Sequence, residues 1–133
     1  MSAASAHVTD AELRVLKLLW EREPLSAREI TENLYSRMTS SDIGTVQTLL
    51  ARLEAKGLVR RDRSRHVHRF GPAVTSAEFA GRQVAAMVDK LTDGSLAPVL
   101  AHLVQSRALS DDEKAELRRL LDEHSHPKRR GAR

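Results

Sequence analysis

The stretch TVQTLLARLEAKGLV, residues 45–59, decides the fold of this 133-residue chain. Its apolar side chains recur every three or four positions, which predicts a helix with one buried face. The stripe consists of Val46, Leu49, Leu50 and Leu53. Gly57 stands where a helix commonly ends on a left-handed residue. Beyond it, residues 58–61 and 66–70 read as two short strands joined by residues 62–65, so we expect a helix that runs into a β-hairpin.

Helix starts on either side of this stretch are marked by capping boxes, in which a Ser or Thr is followed three positions later by Glu. Four copies each precede an apolar helical period: Thr9 with Glu12, Ser26 with Glu29, Thr75 with Glu78, and Ser110 with Glu113. We predict helices over residues 10–22, 26–36, 76–91, 95–106 and 111–123, and Asp42 as the N-cap of the central helix. Three helices and then a hairpin, over residues 8–73, is the order of a winged helix-turn-helix module.

The predicted fold class is therefore mainly α with a small β-hairpin. Residues 1–74 are the winged-helix domain, residues 75–123 a domain of three helices, and residues 124–133 a basic tail expected to be disordered. Three helices of this length rarely close a core alone, so we expect another copy of the chain to complete the second domain. The apolar residues assigned to this dimerisation domain are Val84, Met87, Val88, Leu91, Leu96, Val99, Leu100, Leu103, Leu117, Leu120 and Leu121.

Positive charge is concentrated in two segments. The chain has 22 basic and 18 acidic side chains, yet residues 37–70 hold eight basic against three acidic, and residues 124–133 add four basic and no acidic ones. Such a footprint suits a polyanion partner. The absence of cysteine excludes disulfides and thiolate metal sites. Because we find neither a membrane-length apolar run nor a signal-peptide pattern, we expect a cytoplasmic protein with no membrane insertion.

Several short motifs resemble those of the penicillinase-repressor (BlaI/MecI/CopY) family of bacterial transcriptional repressors. Residues 10–12 (DAE), 16–17 (LK) and 19–20 (LW) are similar to that family's first helix, and residues 45–53 (TVQTLLARL) to its recognition helix. Residues 56–59 (KGLV) and 69–72 (RFGP) resemble the run into its wing and the wing's return strand. Residues 94–96 (GSL) and 109–113 (LSDDE) resemble its helical half. Each motif alone is weak, whereas their order and spacing together are specific.

The resemblance implies a homodimer that binds a dyad-symmetric operator in double-stranded DNA and represses promoters, commonly those of antibiotic-resistance or metal-homeostasis genes. In the β-lactam branch of the family, a membrane sensor protease leads to cleavage of the repressor between an Asn and a Phe. The matching positions here are His102 and Leu103. The copper-responsive branch senses metal through a cysteine cluster, which this sequence lacks. We expect no enzyme activity and no cofactor, because the sequence contains neither a nucleophile–base constellation nor a phosphate loop.

Candidate DNA-binding residues follow from placing the central helix in the major groove with its apolar stripe turned away. Gln47 suits a bidentate contact to adenine, and Thr45 and Thr48 suit a base edge or a phosphate. Arg52 and the wing supply positive charge for phosphates. The candidates are Gly44, Thr45, Gln47, Thr48, Arg52, Arg60, Arg61, Arg63, Arg65 and His66.

Alternatives exist for several of these residues. The two threonines can instead hydrogen-bond the backbone of their own helix, and Arg52 can pair with Glu54 or Asp42. His66 and His68 share a predicted strand face, but no third ligand is evident, so we predict no metal site. The protein as a whole can alternatively be a winged-helix adaptor that docks an acidic protein, or a repressor that senses a small ligand or metal directly.

Overall fold

The computed structural model describes residues 7–125, which contain six α-helices and a two-stranded antiparallel sheet. The helices are α1 (Asp10–Glu21), α2 (Ala27–Leu34), α3 (Ser40–Ala55), α4 (Ser76–Leu91), α5 (Ala97–Gln105) and α6 (Asp111–Glu123), and the strands are β1 (Val59–Asp62) and β2 (Arg69–Pro72). The predicted mainly helical fold with a small hairpin is confirmed. Residues 1–6 of the predicted first domain and 126–133 of the predicted tail lie outside the described residues.

All four predicted capping boxes are present. In each box the Ser or Thr side chain accepts a hydrogen bond from the Glu amide at 3.0–3.1 Å, and the Glu carboxylate accepts one from the Ser or Thr amide at 2.8–3.0 Å. These bonds satisfy amide groups that the first helical turn leaves without a partner. The starts of α1, α2, α4 and α6 therefore follow directly from local sequence.

The N-cap of α3 differs from our prediction. Thr39, not Asp42, caps the helix: Thr39 Oγ1 accepts a hydrogen bond from the Asp42 amide at 3.0 Å, and Asp42 Oδ2 accepts one from the Thr39 amide at 3.3 Å. Aspartate thus takes the place that glutamate holds in the other boxes. The helix consequently begins at Ser40, and Asp42 lies within its first turn.

The hairpin also differs from our prediction, because its second strand begins later. Arg61 pairs with Phe70 and Arg60 with Gly71, so residues 63–68 form the loop. His66 and His68 therefore lie in that loop, and the prediction that they share a strand face is wrong. Asp62 Oδ1 accepts a hydrogen bond from the Ser64 amide at 2.9 Å, which turns the chain out of β1.

Leu25 fixes the position of β2 from outside the hairpin. Its amide donates to the Phe70 carbonyl at 3.0 Å, and the Phe70 amide donates to the Leu25 carbonyl at 2.7 Å. This isolated bridge holds the wing against the segment between α1 and α2. The sequence pattern gave no sign of it, since a single bridged residue has no periodicity.

The chain divides into two compact units, with the division between Met87 and Val88 inside α4. In the first unit α1, α2, α3, the hairpin and the beginning of α4 enclose one hydrophobic core, which includes the whole predicted stripe of α3. Our predicted domain boundary after residue 74 stays a prediction. The core consists of Val15, Leu16, Leu18, Leu19, Ile30, Val46, Leu49, Leu50, Leu53, Leu58, Val59, Phe70 and Phe79.

Trp20 attaches the beginning of α4 to this core. Its Nε1 donates a hydrogen bond to the Val74 carbonyl at 2.9 Å, and its ring lies 5.8 Å from the ring of Phe79, centre to centre, with an angle of 51° between the planes. A tilted aromatic pair at this distance is favourable beyond its buried area. The first turns of α4 are thereby held in the winged-helix unit.

The second unit contains the end of α4 together with α5 and α6. Among residues 88–125 only Val88 is buried, and neither α5 nor α6 buries any side chain. Large apolar side chains are left exposed in this part of the chain: Leu91, Leu96, Leu100, Val104, Leu120 and Leu121. No helix within residues 7–125 is long and apolar enough to cross a membrane.

A buried ion pair links the beginning of α1 to the end of α3. Glu12 is only 1% exposed, and its Oε1 lies 2.6 Å from Lys56 Nζ, which also donates to the His7 carbonyl at 2.7 Å. Burial by itself raises the pKa of Glu12, but the hydrogen bonds from Lys56 and Thr9 and the positive charges of Lys56 and Arg52 outweigh it, so the pKa is lowered. The carboxylate is therefore charged at neutral pH.

Replacing Lys56 by Met leaves this charge buried without its partner, and we expect the free energy of unfolding to fall by about 3 kcal/mol at pH 7. Urea unfolding provides the measurement. Glu32→Gln is the control, since Glu32 is an exposed acid on α2 and its replacement should change the value by less than about 0.5 kcal/mol. Equal effects of the two substitutions would contradict the structural importance of the pair.

The same pair gives a pH dependence. Because the folded-state pKa of Glu12 is below the ordinary value of 4.5, its contribution to stability is present above that value and is lost as the pH falls through the folded-state pKa. The difference in unfolding free energy between the wild type and Glu12→Gln should therefore shrink as the pH falls below 4.5. A difference that stays constant down to pH 3 would argue against this assignment.

Candidate nucleic-acid interface

The exposed face of α3 is polar and lies opposite the buried stripe. It presents Thr45, Gln47, Thr48 and Arg52. The Thr45 hydroxyl donates to the Ser41 carbonyl at 3.1 Å. Of the two alternatives for Thr45, the structure therefore has the hydrogen bond to the backbone of its own helix. Within residues 7–125 the side chains of Gln47 and Thr48 form no hydrogen bond. Their polar groups are therefore available to a partner.

Gly44 occupies the same part of α3, one turn after the N-cap. A Cβ atom built on it would have nothing within 4 Å beyond its chain neighbours and the nearby backbone of its own helix, so the helix surface is open there. Arg52 lies two turns further on and makes no ion pair with any described residue. Neither Glu54 nor Asp42 is its partner, although both were considered from the sequence.

The arginines of the wing differ sharply in their surroundings. Arg61 lies 3.0 Å from Glu54 Oε1, with its guanidinium carbon 4.8 Å above the centre of the Phe70 ring. Arg63 reaches the other oxygen of Glu54 at 3.1 Å. Arg60 lies 3.6 Å from Glu23 and donates to the Pro72 carbonyl. These three side chains therefore have partners within the same chain.

Arg65 lies in the wing loop and forms no ion pair within the described residues. It lies close enough to Asp62 to act on that carboxyl electrostatically. Hydrogen bonds from the Ser64 side chain and amide lower the pKa of Asp62, with smaller contributions from the positive charges of Arg65 and His68. His66 is exposed next to Arg65. The loop thus offers a free guanidinium at its tip.

A cleft of about 440 Å³ separates α3 from the wing. Gln47 contributes from α3, Arg28 from the first turn of α2, and Arg61, His66 and His68 from the hairpin. None of its lining residues is acidic, so its walls suit an anion. Among residues 7–125, no group of three or more His, Asp or Glu side chains is arranged to hold a metal ion.

Sequence reasoning missed three residues of this interface. Arg28 was not considered, although the capping box at Ser26 places it in the first turn of α2. Phe70 was not identified as the surface under Arg61. Glu54 was considered only as an ion-pair partner of Arg52. It is the one acid between residues 43 and 61, so it is the nearest carboxylate on α3 for the arginines of a hairpin that folds back onto this helix.

The first unit has a three-helix core with a hairpin wing, a polar outward face on α3 and a basic cleft without acidic residues. These features define a winged-helix protein of the nucleic-acid-binding class. The chain belongs to the penicillinase repressor family, whose family model matches residues 8–123. Membership places it among DNA-binding transcriptional repressors and not among enzymes. The predicted family is thus confirmed.

The chain is similar to several individual repressors. The chain is 26% identical over 122 residues to the penicillinase repressor of Bacillus licheniformis, with coverage of 92% of this chain and 94% of that protein. It is 25% identical over 122 residues to the methicillin resistance regulatory protein MecI of Staphylococcus aureus strain N315, with coverage of 92% and 98%. The solution structure of monomeric Bacillus licheniformis BlaI with the blaP half-operator matches 56% of this chain and 89% of that one, at 27% identity and a TM-score of 0.45.

The two kinds of wing arginine should respond differently to truncation. Arg61→Ala removes an ion pair and a contact with an aromatic ring at a side chain only 24% exposed, and we expect a loss of about 1–2 kcal/mol in unfolding free energy. Arg65→Ala should change it by less than about 0.5 kcal/mol. Urea denaturation of the two variants tests the distinction, and similar stability losses would refute it.

Proposed function

We propose that this protein is a homodimeric, cytoplasmic repressor that binds a dyad-symmetric operator by inserting α3 into the major groove and placing the wing along the phosphate backbone. The observation that carries the proposal is a polar face on α3, on which Gln47 and Thr48 form no side-chain hydrogen bond within residues 7–125, beside a basic wing across an acid-free cleft. Family membership supports the same function. Two copies of α3 about one helical turn of DNA apart would contact the two half-sites.

Base reading is assigned to the start of α3. The Gln47 amide can donate to and accept from an adenine edge, and the Thr48 methyl and hydroxyl groups can contact a base or a phosphate. The Thr45 hydroxyl already donates to the helix backbone, which leaves its methyl group and the two lone pairs of its oxygen for DNA. At Gly44 the missing side chain allows the backbone to approach DNA closely.

Phosphate binding is assigned to Arg52, Arg65 and His66, whose side chains are exposed. Arg63 is exposed but paired, so its contact would need exchange of the Glu54 carboxylate for a phosphate. Arg60 and Arg61 contribute positive charge while keeping their contacts to Glu23 and Glu54 of the same chain. Phosphate contacts of this kind position the protein, whereas sequence is read by the residues of α3.

Dimerisation is assigned to residues 75–123. The support is that α5 and α6 bury no side chain within one chain while they expose three leucines and one valine. Exposed apolar surface of this extent on a helical unit marks an interaction site. A second copy supplies the same surface, and a two-fold axis matches a dyad-symmetric operator.

Release from DNA is assigned to an inducing signal. An inducing signal from antibiotic or metal stress and a membrane sensor protease remain part of the proposal through the resemblance to the family. The bond between His102 and Leu103 lies inside α5, so a protease would need this helix to unwind locally before cleavage. An exposed, coreless helix is suited to such opening.

To test base reading, a duplex is first selected from a random library with the wild-type protein. Gln47→Ala should then weaken binding to the selected duplex about tenfold or more, because a bidentate base contact is lost, and should change binding to random DNA less than about twofold. Arg65→Ala should weaken both and reduce the slope of log affinity against log salt by about 1. Fluorescence anisotropy at several salt concentrations measures both quantities.

Equal losses on selected and random DNA would remove Gln47 from the base-reading role. A wild-type protein that shows no preference over competitor DNA would contradict the repressor proposal itself and favour a protein-docking adaptor.

To test dimerisation, a charge is placed on the proposed interface. Leu91 is 73% and Leu121 70% exposed in the single chain, so Leu91→Glu and Leu121→Glu should leave the chain folded but prevent burial between copies. Sedimentation equilibrium should give a dimer for the wild type and for the exposed-site control Gln105→Glu, and a monomer for the two variants. A monomeric wild type, or variants that still dimerise, would overturn this assignment.

A further inference from the structure

Glu54 connects the recognition helix to the wing. It lies in the last turn of α3, and each of its carboxylate oxygens contacts a different arginine. Oε1 is 3.0 Å from Arg61 Nη2, and Oε2 is 3.1 Å from Arg63 Nη2. One carboxylate thereby ties both the paired strand and the loop of the wing to α3.

The two arginines are held with different strength. Arg61 is 24% exposed and lies over the Phe70 ring, so its pair with Glu54 is shielded from water. Arg63 is 60% exposed, so water and salt weaken its pair. The Glu54–Arg61 pair is therefore the stronger one and attaches β1 to α3. The weaker Glu54–Arg63 pair restrains the loop of the wing.

The position of the wing affects specificity because binding to random DNA and binding to selected DNA depend on different contacts. Binding to random DNA depends on charge and tolerates a wing in many positions. Binding to a particular sequence requires α3 and the wing to contact DNA together, so a wing that is already in position lowers the entropic cost. A restraint on the wing therefore favours the specific complex alone.

On the basis of the proposed function, we propose that Glu54 is a specificity-determining positioning residue that holds the wing at its DNA-binding angle to α3 through Arg61 and Arg63. It contacts no DNA in this role. Its negative charge near the interface also opposes phosphates, which weakens binding to every duplex. Holding the wing raises the ratio of specific to random affinity, whereas the charge lowers both affinities and leaves that ratio unchanged.

Two substitutions separate position from charge. Glu54→Asp keeps the charge but shortens the side chain by one methylene, so it cannot span both arginines. We expect binding to the selected duplex to weaken about threefold to tenfold, the cost of ordering one or two freed side chains, with little change on random DNA. Glu54→Gln also removes the charge, and we expect binding to random DNA to tighten about twofold to fivefold.

The matched controls are Glu21→Asp and Glu21→Gln, at an exposed acid of α1 that forms no ion pair within the described residues. Glu21→Gln changes the net charge equally, so it should leave the ratio of the two affinities unchanged. Thermal unfolding of every variant establishes that the compared proteins are folded.

Hydrogen exchange supplies a readout that does not depend on DNA. In the free full-length protein, amides of residues 59–72 should exchange faster in both Glu54 variants than in the wild type, while those of α1 and α2 stay unchanged. Wing exchange equal to that of the wild type overturns the proposal, even if selection yields no preferred duplex and the proposed function fails. An affinity ratio that Glu54→Asp leaves at the wild-type value overturns it as well.

Discussion

Burial of the apolar stripe of α3 is the constraint on which the other features of the first unit depend. Val46, Leu50 and Leu53 have no exposed surface, and they pack in one cluster with side chains of α1, α2 and the hairpin. Because a helix places residues three and four apart on one face, burying this stripe forces Gln47, Thr48 and Arg52 outward. The same packing that forms the core therefore creates the surface proposed to read DNA.

Two polar contacts orient elements around that core. The buried Glu12–Lys56 pair joins the first turn of α1 to the residue that follows α3, immediately before the left-handed Gly57 with a φ of 76°. The Leu25–Phe70 bridge places β2 beside the segment after α1. Together they determine where the chain leaves α3 and where the wing begins, which is the geometry that a two-part DNA contact requires.

Features governed by local sequence were predictable, whereas those governed by distant residues were not. Capping boxes and the helical period gave five of the six helices within about two residues at each end, because each depends on side chains three or four positions apart. The strand limits failed because the Asp62 turn and the Leu25 bridge decide the register. The prediction of the α3 N-cap was wrong because aspartate was not considered in the glutamate position of the capping box.

The candidate site shows the same division. Exposure of the α3 residues follows from the stripe, so Gln47, Thr48 and Arg52 could be proposed from sequence alone. The wing arginines could be counted but not sorted, because a basic run does not reveal which guanidinium folds back onto Glu54 or over Phe70. Sorting them requires the distance between α3 and the hairpin, which only the folded chain contains.

The central claim is that α3 and the wing contact DNA together. Titration of the isotope-labelled full chain with the selected duplex, followed by backbone amide NMR, tests it directly. We predict that the large changes in amide chemical shift fall within residues 40–52 and 60–68, and that the amides of α1 and α6 change little. Changes confined to the second unit, or to the wing without α3, would contradict the account.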